Sequence, residues 1–389
     1  MPNHSEFSGP VLFSFGFRPF FLSAMMFAML VIPIWWFLWQ GDIGIKGPFA
    51  PADWHIHEMV FGYAAAVLAG FLFTAVPNWT GRLPTTGWPL ATLLVVWMAG
   101  RIASAGVTGL PPIVVAIVDQ LFLMLVVAMI AREILAGKNW RNLKVLVPVS
   151  CLWITNIFFH VEAATQGTTD YSRRLSLALL IFLVMLIGGR IVPSFTRNWL
   201  ARQHALKLPT PFNRFDTVTL GLSASALVTW VVLPFSIGCA VAALLAAGFQ
   251  LVRLFRWRGW STIGSPLLVM LHVAYAMIPL GLIGIAAGAV EQASPAVGIH
   301  LLGIGAVGGM TVAVMIRATM GHTGRDLNAG LVLTTAFGLL ILSAILRASA
   351  DTISIGGRSG VELSALFWVI SFMLVLIRIG PWLVARSKK

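Results

Sequence analysis

The chain has 389 residues, of which 58% are hydrophobic and only 10% are charged. Soluble domains carry about 25% charged residues, so this composition excludes a water-soluble enzyme and a nucleic-acid-binding protein. The net charge is +13, but the basic residues lie in short clusters between long apolar runs, as in polytopic membrane proteins. We therefore expect an all-α integral membrane protein in contact with the lipid bilayer.

Apolar runs of about 20 residues are long enough to cross the ~30 Å hydrocarbon core as helices. One charge-free run, residues 217–252, is too long for a single crossing, and Pro234 divides it into two spans. The sequence then predicts one membrane domain, 1–389, with twelve transmembrane helices. They cover residues 19–40, 56–76, 87–105, 110–131, 143–164, 173–192, 215–233, 235–254, 264–288, 296–316, 328–348 and 361–381.

The distribution of Lys and Arg orients these spans. With twelve crossings, 20 of the 26 basic residues fall on one side of the membrane. The other side holds only Lys46, Arg101, Arg173, Arg174, Arg347 and Arg358. Because cytoplasmic loops carry the excess of positive charge, both termini are predicted to be cytoplasmic.

Histidines on three spans are predicted to lie at similar depth, near the extracytoplasmic side. His55 and His57 begin the second span, His160 lies near the end of the fifth, and His300 lies near the start of the tenth. Ionisable groups in a membrane point to function, and this set suits a haem or a histidine-ligated metal. Imidazole also suits copper. The alternative is that each histidine is an interfacial residue or a hydrogen-bond partner of a neighbouring helix.

Other intramembrane polar residues leave more than one interpretation open. His272 lies in the inner half of the ninth span. Asp119, in the fourth span, is either a proton-relay carboxylate or a protonated partner in a buried polar contact. Arg101, on the outer side, either pairs with a haem propionate or extends to the headgroups. The GxGxxG pattern at 303–308 lies inside a predicted membrane helix, so close helix packing explains it better than dinucleotide binding.

Several blocks of the sequence resemble the NnrS family. They are FGFRPFF at 15–21, WHIHEMVFG at 54–62, AGFLFTAVPNWTG at 69–81, GGRIVP at 188–193 and RATMGHTGR at 317–325. The resemblance implies a twelve-span protein of the bacterial inner membrane that contains haem and copper and is associated with denitrification and resistance to nitric oxide. It also implies that His57, His160, His272 and His300 bind cofactors. His322, in the last block, either binds a ligand or organises its loop.

Our main hypothesis is a redox protein that binds nitric oxide at an outer-side haem built by His57, His160 and His300. The chain has no CxxCH motif for covalent attachment, so we expect any haem to be of b type. If the site turns over, it reduces two nitric oxide molecules to nitrous oxide with two protons and with two electrons from an unidentified donor. Glu58 and Asp119 would carry the protons.

Copper is the second candidate cofactor. The full set of candidate metal ligands is His55, His57, His160, His272 and His300. Two alternative functions stay open, a twelve-span transporter in which the histidines couple protons or bind substrate, and a haem sensor or metal-delivery protein without turnover.

Overall fold

The computed structural model describes residues 7–44 and 47–387, so Lys46, Lys388 and Lys389 of the charge count lie outside the described residues. Its helices are α1 (Phe17–Gln40), α2 (Pro51–Thr80), α3 (Trp88–Ser104), α4 (Pro112–Ala136), α5 (Leu143–Gln166), α6 (Asp170–Arg202), α7 (Arg214–Val232), α8 (Ile237–Phe255), α9 (Pro266–Ala289), α10 (Pro295–His322), α11 (Gly330–Ala348) and α12 (Gly360–Val384). The described residues contain only one pair of short antiparallel strands, β1 (Ser354–Ile355) and β2 (Arg358–Ser359).

Eleven of these helices are long and apolar enough to cross a membrane. The shorter apolar helix α3 has 17 residues and is about 26 Å long, close to the thickness of the hydrocarbon core. The prediction of an all-α polytopic membrane protein is therefore confirmed. The orientation of the termini stays a prediction.

Proline and glycine set many of the helix boundaries. Four helices begin at a proline, where the missing amide hydrogen has no intrahelical partner to lose: Pro51, Pro112, Pro266 and Pro295. Gly41 and Gly81 follow α1 and α2 with φ values of 82° and 71°, the left-handed conformation that glycine adopts without strain. The long apolar run around Pro234 is divided into α7 and α8.

The chain forms two compact units. The first unit contains the residues up to Ser176, the segment Thr319–Arg325 and the residues from Leu376 onward. The second unit contains Leu177–Ala318 and Asp326–Val375. Three helices, α6, α10 and α12, contribute residues to both units.

The core of the first unit is rich in phenylalanine. The rings of Phe73 and Phe122 lie with their centroids 6.2 Å and 5.8 Å from that of the fully buried Phe20. A Cβ at Gly70 would lie 2.9 Å from the Phe21 ring, so the glycine lets α1 and α2 approach closely. The FGFRPFF and AGFLFTAVPNWTG blocks therefore form one packing interface.

In the second unit, α9 is buried along most of its length. A Cβ added at Gly298 of α10 would lie 2.5 Å from the backbone nitrogen of Ile285 and 2.9 Å from the carbonyl carbon of Gly284 in α9. Small residues therefore bring the backbones of α9 and α10 into contact, as is common between membrane helices.

Arg18 in the first unit is 1% exposed, and its side chain caps the C-terminal end of α12. Its Nη1 donates hydrogen bonds to the carbonyl oxygens of Leu383 and Ala385 at 2.9 Å and 2.8 Å, and its Nη2 donates to Ser387 Oγ at 2.9 Å. The last carbonyls of a helix have no intrahelical donor, and a cation there also complements the helix dipole. Arg18 thus fixes the C-terminal segment to α1.

Replacing Arg18 with methionine should lower the free energy of unfolding by about 2–3 kcal/mol, because several hydrogen bonds from a charged donor are lost. The C-terminal segment should also become accessible to protease before the rest of the chain. Arg386→Met is the matched control, since Arg386 is exposed in the same segment. If both variants unfold and are cleaved like the wild type, Arg18 does not hold this end of α12.

Candidate metal centre

Four helices of the first unit bring six polar side chains together in its interior. We call this set the buried polar cluster, and it consists of His57 and Glu58 from α2, Arg101 from α3, Asp119 from α4, and Asn156 and His160 from α5. None of the six is more than 7% exposed. Polar groups at such a place must satisfy one another, because lipid offers them no hydrogen bonds.

The local structure of α2 changes at the cluster. The α-helical turns end at His57, and the segment Glu58–Ala64 is a π-helix before α-helical geometry resumes. Such wide turns are rare and occur often at functional sites. A Cβ at Gly62 would lie 3.1 Å from both Arg101 Nη1 and Glu58 Oε2, so the glycine leaves space for this ion pair.

Asp119 lies at the centre of the cluster. Its Oδ2 is 3.1 Å from His57 Nε2, 3.0 Å from His160 Nε2 and 2.8 Å from Asn156 Nδ2, which donates to it. Its Oδ1 accepts a hydrogen bond from Arg101 Nη2. An ionised carboxylate is an acceptor only, and here four donor groups converge on it. This geometry suits an ionised carboxylate at the centre of a polar network, whereas the sequence offered either a proton relay or a protonated partner, and the proton-carrying role of Asp119 stays a prediction.

Arg101 joins the two acids of the cluster. Its Nη1 lies 2.8 Å from both Glu58 oxygens, and its Nη2 contacts Asp119. The structure therefore places this guanidinium on two carboxylates of its own chain. Two acids and one guanidinium leave one negative charge, which a proton on His57 or a bound cation balances.

Three side chains of the cluster have the chemistry of metal ligands. His57, Asp119 and His160 each offer one ligand atom, and these atoms lie within 4.8 Å of one another. Ligand atoms bound to one metal ion at about 2.1 Å lie no more than roughly 4.2 Å apart, so small side-chain adjustments suffice. His160 Nδ1 is buried without a hydrogen-bond partner, which leaves one nitrogen of this imidazole unused. The donor set of two imidazoles and one carboxylate suits a transition-metal ion.

The other predicted histidines lie outside this group. His55 packs its ring on Trp35, with centroids 4.5 Å apart. His300 belongs to the second unit, where its Nδ1 is 2.7 Å from the Ala296 carbonyl oxygen and a π-helix, Leu301–Gly308, follows directly. The roles of both histidines as ligands stay predictions.

His272 also belongs to the second unit. Its Nε2 is 2.9 Å from Thr196 Oγ1, and a Cβ at Gly259 would lie 2.7 Å from its Nδ1. Its Nδ1 is therefore buried beside Gly259, and like His160 Nδ1 it has no hydrogen-bond partner among the described residues. Its role as a cofactor ligand stays a prediction as well.

The sequence predicted that His57 and His160 lie close together, but it did not predict that Asp119 and Asn156 connect them. Arg101 and Asp119 have opposite charges on consecutive apolar helices, which is a detectable signal for an ion pair in a helical hairpin. Asn156 lies one turn before His160 on α5 and hence on the same helix face. These two patterns are the sequence signals for the complete cluster.

The second unit contains a buried polar network that the sequence did not reveal. Arg253 is fully buried, and its Nε and Nη1 donate to Asp216 Oδ1 at 3.0 Å and to the Tyr275 hydroxyl at 2.8 Å. Tyr275 donates in turn to Gln250 Oε1 at 2.9 Å. A Cβ at Gly189 would overlap the guanidinium, which explains the second glycine of the GGRIVP block. Charge counting assigned Arg253 to a cytoplasmic cluster, because composition does not distinguish a buried arginine from an exposed one.

The comparison with protein families agrees with the blocks quoted above. No curated protein matches the chain. The NnrS protein family matches it over residues 11–386, which is nearly its whole length. The chain is therefore an integral membrane protein that belongs to the NnrS family.

Proposed function

We propose that this protein binds nitric oxide within the membrane at a redox-active metal centre. The metal ion is held by His57, Asp119 and His160, and a b-type haem is a second cofactor. Membership of the NnrS family connects the chain with the response to nitric oxide. The observation that carries the proposal is the convergence of two histidines and one carboxylate in a fully buried site.

The donors favour a single metal ion at this site over a haem. Both His57 nitrogens lie within 3.1 Å of carboxylate or amide oxygens, so a porphyrin on this ring would have to displace them. Copper and non-haem iron both accept imidazole and carboxylate ligands. No sulfur ligand belongs to the donor group in the described part of the chain.

For the haem, His300 has the more suitable environment. Its Nδ1 donates a hydrogen bond to the Ala296 carbonyl oxygen, and metal-ligating histidines commonly have such a partner. Three residues later, Gly303 has no described atom within 4 Å of an ideal Cβ position, which leaves space for a planar group. We therefore assign the haem to His300 in preference to His272.

The residues around the metal have distinct roles. When bound, a redox metal supplies an open position for nitric oxide and a route for electrons. If His57 bound the metal through Nε2, its Nδ1 would donate to Glu58 Oε1, which lies 2.9 Å away, and this contact would fix the ring orientation. Arg101 keeps Glu58 and Asp119 in place, and the apolar surroundings exclude water. Glu58 is the acid closest to the ligands, so we assign it the delivery of protons.

The test is an optical and elemental analysis of the full-length protein, purified in detergent after expression with haem and copper available. We expect a Soret band that shifts on reduction and again with nitric oxide, and about one non-haem metal ion per chain. His57→Ala and His160→Ala should lose the metal ion and keep the haem, whereas His300→Ala should lose the haem. His55→Ala is the matched control, because its ring lies two residues from His57 but outside the donor group.

Two results would contradict the proposal. If His57→Ala and His160→Ala retain the metal ion, the site lies elsewhere. If the wild type contains neither iron nor copper and its spectrum has no Soret band, the redox function is wrong and a transporter becomes the better interpretation.

A further inference from the structure

Two arginines of the first unit share one tryptophan ring. The Cζ atoms of Arg325 and Arg378 lie 4.7 Å and 5.0 Å from the ring centroid of Trp382, near the end of α12. We call these three residues the Trp382 basic cluster. Arg325 is the last residue of the RATMGHTGR block, and neither the metal centre nor the proposed function uses it.

Neither arginine of this cluster is paired with an acidic side chain in the described part of the chain, although Asp326 follows Arg325 in the sequence. Among the residues that the structure describes, no ion pair includes Arg325 or Arg378. Arg325 Nη1 donates only to the Thr323 carbonyl oxygen, at 3.2 Å. Burial is the main cause that lowers the pKa of Arg325, and repulsion from the Arg378 guanidinium lowers it further. Two like charges held together in this way favour the binding of an anion.

The cluster is held in place by buried groups. The Arg18 side chain donates to the carbonyl oxygens at the end of α12, including that of Trp382 at 3.2 Å. Thr323 Oγ1 donates to the Thr319 carbonyl oxygen at 2.6 Å, and the Arg325 amide donates to the Met320 carbonyl oxygen at 3.0 Å. The loop after α10 therefore presents Arg325 from a fixed backbone, and little ordering is needed to bind a ligand.

We propose that the Trp382 basic cluster binds the phosphate group of an acidic phospholipid. Guanidinium groups form paired hydrogen bonds with phosphate oxygens, and tryptophan is enriched at the level of the headgroups. Ile377 and Val384 are exposed on the same end of α12 and can contact acyl chains. The positive-inside distribution places the cluster at the cytoplasmic leaflet, where acidic lipids attract basic groups.

The test is native mass spectrometry of the full-length protein titrated with phosphatidylglycerol, with phosphatidylcholine and with inorganic phosphate. Each arginine near an acidic headgroup contributes roughly fivefold in affinity, so Arg325→Gln/Arg378→Gln should bind phosphatidylglycerol about thirtyfold more weakly. Arg258→Gln is the matched control, because Arg258 lies alone over the Trp260 ring at 5.4 Å. Its affinity should equal that of the wild type.

The remaining outcomes separate the alternatives. Arg325→Lys/Arg378→Lys keeps the charge but loses the paired hydrogen bonds, and it should recover part of the affinity. Equal binding of phosphatidylglycerol by the wild type and the double Gln variant would overturn the proposal, as would equal binding of the two lipids by the wild type. If inorganic phosphate alone binds with the same dependence on both arginines, the ligand is a soluble anion and the lipid assignment is wrong. If the double variant does not fold, Arg378→Gln alone, at an exposed position, gives the same comparison.

Discussion

Replacing Arg101 with methionine is expected to lower the free energy of unfolding by about 3–5 kcal/mol, the largest effect of any single substitution that we predict. The guanidinium contacts both Glu58 and Asp119, and all three side chains are buried. Its removal leaves two carboxylates close together without a counter-charge, in surroundings that water does not reach. The measurement is the free energy of unfolding in mixed micelles.

Two further variants make this result specific. Arg173→Met removes a partly exposed ion pair with Asp170 and should lower the free energy of unfolding by no more than about 1 kcal/mol. Combining Arg101→Met with Glu58→Gln and Asp119→Asn removes all three charges and should restore more than half of the lost stability. If Arg101→Met is no more destabilising than Arg173→Met, the three charges do not form one buried network.

Asp119→Asn should weaken metal binding at least about a hundredfold, because it removes the anionic ligand and the central acceptor of the cluster. The substitution keeps the size of the side chain, so the fold should persist. Asp53→Asn is the matched control, since Asp53 is a buried carboxylate of α2 that accepts a hydrogen bond from Thr169. Metal content after dialysis against a chelator of known affinity measures both variants. Equal metal retention by Asp119→Asn and Asp53→Asn would show that Asp119 is not a ligand.

Hydropathy accounts for the part of the fold that the sequence predicts. The cost of exposing backbone polar groups to lipid makes each long apolar run a helix, and Pro234 marks the break between α7 and α8. Hydropathy does not locate the ends of helices that continue into water. Helix α6 extends to Arg202, beyond the apolar run that ends at Val192, although Pro193, Thr196 and Asn198 are not strong helix formers.

The partners of each side chain depend on the rotation and packing of the helices, which composition does not determine. A count of basic residues treats Arg101 and Arg253 like exposed arginines, but each of them forms a buried ion pair. The depth of His57, His160 and His300 was inferred from span boundaries, and depth alone does not decide which of them meet. Asp119 of α4 contacts His57 of α2 and His160 of α5, so these two histidines share the donor group and His300 does not.

X-ray absorption at the edge of the bound non-haem metal is the most direct test of the central claim that His57, Asp119 and His160 hold a metal ion. We predict a first shell of nitrogen and oxygen only, with the outer-shell scattering of two imidazole rings. Half of that imidazole signal should disappear in His160→Ala preparations reloaded with metal, and His55→Ala should leave it unchanged. A first shell that contains sulfur, or an imidazole signal that is the same in the wild type and His160→Ala, would contradict the assignment.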